Sequence, residues 1–279
     1  MIYASTSCLK NPKSIEKVLD AYQKSDIRNV ELGSVHENFD TRILKKYEFN
    51  YTIHNYFPPP KNPFIFNLAS SNKTILKKSI KLAKDAIDFC VELNSPVYSF
   101  HAGFLIDPIK LGKKLPRKKI TVRENATKIF EESLFELIFH ASKNGIKLAM
   151  EPNVVQKFNL VNGKNELLLF AEYDEIISLL KIFSKKELGL LLDLGHTSVT
   201  SHWLNFDKDR FVDSLCSRVI AVHVSNNNGL QDQHKALTPK CWAVTKLKKF
   251  KRKPIILETM NLSTDEIKKN IKIASKSIE

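Results

Sequence analysis

Five of the eight histidines in this 279-residue chain, His54, His101, His196, His223 and His234, lie at or just past the ends of short apolar runs. Four carboxylates, Glu151, Asp193, Asp232 and Glu258, join them in the same kind of position. A chain has little reason to place an ionisable group after one buried run after another unless those ends converge on something charged. Imidazole and carboxylate are the usual ligands of zinc and similar divalent ions. Glu151, Asp193, His223 and Glu258 come from successive runs and could share one ion. Asp193 and His196 stand three residues apart across a turn that Gly195 is expected to ease, and Asp232 and His234 form a second compact pair on one side of an extended segment. Nine candidate ligands exceed the needs of a single ion. Three ions sharing bridging carboxylates would use them, and ions about 3.5–4 Å apart suit phosphoryl chemistry.

The elements that would have to position these groups follow a regular rhythm. Short β-prone runs are expected near residues 2–7, 28–33, 50–55, 96–101, 146–151, 188–193, 218–224 and 254–258. Amphipathic helix-prone stretches separate them, among them 14–25, 71–93, 123–144 and 173–183. Asn144 and Gly145 end one helix where a left-handed residue is wanted. Eight strands alternating with helices predict an α/β chain folded as a (β/α)8 TIM barrel, a single domain over residues 1–279. An open doubly wound sheet is the runner-up, but no glycine-rich phosphate loop follows the first strand; Ser5 to Leu9 occupies that place. In a barrel the active site lies at the C-terminal ends of the strands, where all nine candidates fall. The proline-rich 58–63 segment reads as a stiff loop after strand three.

Composition narrows the class further. The apolar fraction of 43% supplies a large core. No apolar stretch approaches the roughly 18–20 residues of a membrane span, so no membrane partner is expected. The first residues enter a strand-like run without the features of a signal peptide, and a cytoplasmic location is the expectation. Cys8, Cys90, Cys216 and Cys241 are far apart and read as reduced structural thiols rather than a cysteine zinc site. The net charge of +14 is concentrated partly in 113–119 and 246–253. Such runs suit phosphate-rich partners or simply solvated surface, and they lack the interleaved aromatics of base-stacking sites apart from Phe250. His140 and His202 fall outside the pattern, His140 as a structural residue on a helix. His36, Tyr56, Phe57 and Trp203 are candidate substrate contacts near the same mouth. Oligomeric state is not legible.

With Ile53-His54, Phe100-His101-Ala102-Gly103, Met150-Glu151-Pro152-Asn153, Leu192 to His196, Val222-His223, Asp232 to His234 and Leu257-Glu258 in order, the chain resembles the xylose isomerase-like TIM barrels. Within them it resembles the endonuclease IV type, AP endonuclease family 2. The resemblance implies a trinuclear zinc site, with manganese also possible in such a shell, and cleavage of a phosphoester in abasic DNA or a smaller sugar phosphate. It implies His54 and His101 on an open zinc and Glu151 as a bridge that orients the nucleophile. Asp193, His223 and Glu258 would then hold a buried zinc, and His196, Asp232 and His234 a third. Two departures stand against duplex DNA. The segment after strand two, Gly33 to Phe39, lacks the basic and aromatic loop expected there, and the loop after strand seven is short. The same superfamily contains sugar isomerases and epimerases that use one ion and two glutamates, here Glu151 and Glu258, as an acid/base pair.

Overall fold

The computed structural model describes residues 1–33, 35–110 and 112–279. Eight parallel strands, β1 (Ile2–Ser5), β2 (Asn29–Leu32), β3 (Asn50–His54), β4 (Val97–His101), β5 (Lys147–Glu151), β6 (Leu188–Asp193), β7 (Val219–Val224) and β8 (Ile255–Leu257), pair in chain order. Pairing of Ile2 with Ile255 and of Ala4 with Leu257 closes the sheet into a barrel. The helices are α1 (Ile15–Lys24), α2 (Lys73–Glu92), α3 (Arg123–Lys143), α4 (Tyr173–Ile182), α5 (Leu194–Leu204), α6 (Lys208–Leu215), α7 (Trp242–Lys246) and α8 (Thr264–Ile278). The expected TIM barrel is therefore the observed fold. Two connections depart from strict alternation: β2 reaches β3 through a 3-10 segment, Thr41–Lys46, and two helices, α5 and α6, follow β6.

Local chemistry accounts for where these elements begin and end. The side chains of Ser14, Asn72 and Asp193 each accept a backbone N–H in the first turn of α1, α2 and α5. Ser263 and Glu266 form a reciprocal capping box at α8. Gly145 takes the left-handed conformation after α3, at φ 68°, as its position before β5 predicted.

The strand period of two divides the core. Ala4, Tyr98, Met150, Leu192, Val222 and Leu257 face outward and pack under the helices in the main apolar cluster. Tyr3, Val97, Ala149, Leu191, Ala221 and Ile256 form a separate cluster that plugs the barrel interior. Two residues further along each strand, on the same inward face, stand Ser5, Ser99, Glu151, Asp193, His223 and Glu258. The polar ring at the mouth thus sits directly on an apolar floor.

A third cluster, Phe104, Ile106, Leu115, Val155, Leu167, Leu168 and Ala171, belongs to the loops after β4 and β5 and covers one side of the mouth. Polar hooks hold this cover. Buried Asn67 accepts from the N–H groups of Ala69 and Phe104, both at 3.0 Å, and donates to the Phe104 carbonyl at 3.1 Å. Asn153 donates to the carbonyls of Gly103 and Leu169. Replacing Asn67 with alanine strands buried backbone groups, each worth about 1–3 kcal/mol when unpaired. Asn67→Ala is expected to lower the melting temperature and to make the Phe104–Leu168 bridge region exchange its amide protons faster, read by hydrogen exchange.

Candidate metal centre

The strand registers bring the expected residues together. Asp193 pairs with His223 across β6 and β7, and His101 with Glu151 across β4 and β5. All nine candidates fall into three neighbouring groups whose donor atoms lie within 4.8 Å of one another: His54, His101 and Glu151; Glu151, Asp193, His223 and Glu258; His196, Asp232 and His234.

Glu151 joins the groups. It is completely buried, with Oε2 3.4 Å from His54 Nε2 and 3.5 Å from His101 Nδ1. Its Oε1 faces the other way, 2.9 Å from His196 Nδ1 and 3.8 Å from His223 Nδ1. Beyond it, Asp232 Oδ2 lies 3.3 Å from His196 Nε2 and 3.0 Å from His234 Nε2.

Partners behind the rings select which nitrogen faces inward. Ser99 Oγ donates to the Ile53 carbonyl and so accepts from His54 Nδ1, leaving Nε2 free toward Glu151. His234 Nδ1 donates to the Glu258 carbonyl at 2.8 Å, leaving Nε2 toward Asp232. Backing of this kind is the usual company of a metal-bound imidazole.

The donor set fits divalent ions. Both oxygens of Glu151, Asp193 Oδ2, His196 Nδ1, His223 Nδ1, Asp232 Oδ1 and Glu258 Oε2 are buried without a hydrogen-bond partner. A fold that buries this many lone pairs unsatisfied needs a cation or protons to compensate. Without an ion the cluster shares protons. Burial opposes ionisation of Glu151, yet the imidazoles of His101 and His196 hold its carboxyl below the usual range. Asp193 is pushed up, by burial first and then, against the pull of His196, by Glu258 and Glu151. Burial opposes a charge on His234, but Glu258 and Asp232 outweigh it and raise the ring to about 9.

Two local expectations are corrected. Gly195 is not needed for a left-handed turn; a Cβ there would meet Ser225 Oγ at 2.5 Å, so the requirement is close packing of α5 on β7. Asp232 and His234 form the expected compact pair, 3.0 Å apart, but in irregular chain rather than an extended segment, with His234 at φ 46°, an uncommon left-handed conformation for a side-chain-bearing residue.

Above the groups lies a cavity of about 440 Å³, whose lining includes His54, His101, His196, Asp232, His234 and Glu258. Its lining includes the polar Ser5, Ser7 and Asn55 and the apolar Phe104, Leu115, Phe158 and Met260. Lys113 is the one lysine lining it among the described residues.

The four candidate substrate contacts separate. Tyr56 lines the cavity, its hydroxyl accepting from the Phe66 N–H. Phe57 does not; it is fully buried between Phe39 and Phe89, where the aromatic side chain is worth more in the core. Trp203 sits beside the mouth in an adjoining hollow with Gln156 and Phe158, its Nε1 donating to the Leu230 carbonyl. His36 lies behind the cavity wall. Its Nδ1 donates to the Pro12 carbonyl, and its Nε2 accepts from Thr6 Oγ1 at 2.7 Å. His140, as expected, is structural and pairs with Asp88. Sequence reading missed Glu31, a buried carboxylate 2.9 Å from His223 Nε2. Its only signal was an acid interrupting an apolar run in β2. It also missed Lys113 as a cavity residue, since a lysine in a basic loop looks like solvated surface.

The family described as xylose isomerase-like TIM barrel matches residues 40–277, and the chain belongs to it. It is 28% identical over 244 residues to apurinic-apyrimidinic endonuclease 1 of Plasmodium falciparum, covering 80% of this chain and 37% of that protein. It is 26% identical over 192 residues to an uncharacterised protein of Methanocaldococcus jannaschii, covering 69% and 56%. The chain thus spans roughly half or less of those two relatives' length. Among solved structures, a D-tagatose 3-epimerase-like protein superposes with a TM-score of 0.70 at 20% identity, covering 100% of this chain and 99% of that one. At that identity the likeness shows the fold. Among the described residues no helix is long and apolar enough to cross a membrane.

His36 supplies a pH test away from the ion groups. Burial is the main cause that lowers its pKa to about 4 from an ordinary 6.5. Between those values the unfolded chain binds more protons than the folded one, so stability rises with pH. The contribution is complete above about 6.5 and is lost as the pH falls toward about 4. His36→Gln is expected to be less stable at pH 7 and to show a shallower loss of stability from pH 6.5 to 4.5 than the parent, measured by denaturant unfolding. Equal slopes would contradict a neutral buried ring.

Proposed function

We propose that the chain is a metal-dependent isomerase or epimerase of a small sugar or sugar phosphate, with Glu258 and Glu151 as the acid/base pair. The observation that carries this reading is the covered cavity of about 440 Å³ with Glu258 in its lining. That volume lies within the ~300–1,000 Å³ of small-molecule sites. The Ser5, Ser7 and Asn55 side chains in its lining suit sugar hydroxyls. The similarity of the whole barrel to a D-tagatose 3-epimerase-like protein supports the same class. A divalent ion held by Glu151, Asp193, His223 and Glu258 would polarise a substrate carbonyl and lower the cost of the adjacent enediolate charge. Glu258 would take the proton from the carbon beside that carbonyl, and Glu151 would return one only in a state in which it enters protonated, the two carboxyls exchanging proton states over the turnover. Lys113 would meet a phosphate.

A second reading is hydrolysis of a phosphoester by several ions. It is favoured by the two oxygens of Glu151 facing separate histidine groups and by the third group, His196, Asp232 and His234, which an isomerase does not require. The Plasmodium relative's name points the same way. In this reading the three groups would hold up to three zinc ions, with Glu151 as a ligand shared between two groups, and the ions would supply a nucleophilic hydroxide and charge stabilisation.

Two measurements separate the readings. The chain with its metal is incubated with a panel of sugars and sugar phosphates in deuterated water. Deuterium entering a carbon-bound position is expected; release of inorganic phosphate without it would favour hydrolysis. His54→Ala should only weaken an isomerase and should abolish a multi-ion hydrolase. On a phosphorylated substrate, Lys113→Ala is expected to raise KM by about tenfold or more with little change in kcat, the size of one lost charge-assisted hydrogen bond. An unchanged KM would remove Lys113 from substrate recognition.

A further inference from the structure

Strand β2 carries one ionisable side chain, Glu31, and the barrel points it inward across the mouth. It is 1% exposed. One oxygen, Oε2, is 2.9 Å from His223 Nε2, and the other, Oε1, has no hydrogen-bond partner. His223 is itself completely buried. Its second nitrogen, Nδ1, lies 3.4 Å from Glu258 Oε2 and 3.8 Å from both Glu151 Oε1 and Asp193 Oδ2. The imidazole therefore spans two carboxylate environments, Glu31 on one side and the four-residue ion group on the other.

An ionised carboxylate can only accept, so an imidazole with Nε2 against Glu31 keeps its proton there and leaves the Nδ1 lone pair for the ion group. Burying a carboxylate this deeply is costly unless a partner compensates. Among the described residues His223 is the hydrogen-bond partner of the Glu31 carboxylate. We infer that Glu31 is a positioning residue: it fixes the tautomer and orientation of His223 so that Nδ1 faces the ion held by Glu151, Asp193 and Glu258. The inference rests on the ion-binding reading of that group and not on which reaction follows.

The geometry leaves one rival. Glu31, His54 and His223 also bring donor atoms within 4.8 Å of one another, so Glu31 could instead be a ligand itself. Zinc binding to the full chain separates these roles, measured by chelator competition together with the ion count at saturation. Glu31→Gln keeps a neutral acceptor of nearly the same shape, and Glu31→Leu removes the acceptor. Losing a partner behind a metal-bound histidine costs about ten- to a hundredfold in affinity. The leucine variant is expected near the upper end of that range and the glutamine variant near the lower, both with the parent's ion count. In the zinc-loaded parent, histidine labelled with nitrogen-15 should show His223 protonated at Nε2 and metal-bound at Nδ1, with that proton exchanging faster in Glu31→Leu. Zinc affinity unchanged in both variants, with only the melting temperature lowered, would overturn the inference. So would loss of a whole ion in Glu31→Gln, or binding of His223 through Nε2. A parent that binds no zinc or manganese would overturn it together with the ion-binding reading, whereas absence of any sugar chemistry would leave the zinc result standing.

Discussion

The constraint on which the rest of this structure depends is the burial of Glu151. Its carboxylate is completely excluded from solvent, has no hydrogen-bond partner, and is ringed by His54, His101, His196 and His223. An isolated charge there would be intolerable. The histidines that approach it are held by their own partners, Ser99 behind His54 and Glu31 behind His223. The barrel interior thus resembles a preformed cage in which cations, protons or metal ions, are required for neutrality. The apolar plug of Tyr3, Leu191, Ile256 and their neighbours lies one strand repeat below. It denies the cage any water from beneath, which sharpens that requirement.

The cover made by the loops after β4 and β5 lies over one side of the mouth, above the clustered candidate ligands. Its apolar cluster is built from short runs in the 102–122 and 152–172 segments and is tied to the barrel by asparagine side chains rather than by regular structure. Asn67 and Asn153 satisfy backbone groups that no strand or helix serves, which lets irregular chain pack as tightly as a sheet. The cavity lining combines polar side chains, Ser5, Ser7 and Asn55, with aromatic and aliphatic ones, Phe104, Leu115, Phe158 and Met260. A relative is named an apurinic-apyrimidinic endonuclease, while the barrel superposes on a protein named D-tagatose 3-epimerase-like. In the proposed function, the cover is what weighs toward a small substrate.

The strand and helix pattern was legible because its signals are local. The floor residue and the chemical residue stand two apart on a strand, as Ala149 and Glu151 or Ala221 and His223 do, and that period can be read without knowing the fold. What sequence reading could not weigh was competition for a side chain. Phe57 follows a candidate ligand strand closely, yet it packs between Phe39 and Phe89, because a fully buried aromatic ring gains more in the core than at a wet mouth. His36 follows β2 and is captured by the Pro12 carbonyl and Thr6. Glu31 was passed over because one acid in a short apolar run looks like register noise until the strand opposite is known.

By itself the sequence determined the eight-stranded barrel, the nine clustered ligand types and the order in which strands deliver them, since each depends on spacing within a few residues. Tertiary structure alone decided which oxygen of Glu151 faces which histidine, that Gly195 is required by the approach of Ser225, and that Glu31 stands behind His223. These are contacts between segments up to 192 residues apart in the chain. The contact between Glu31 and His223 exists because barrel closure sets β2 and β7 facing one another across a shared interior.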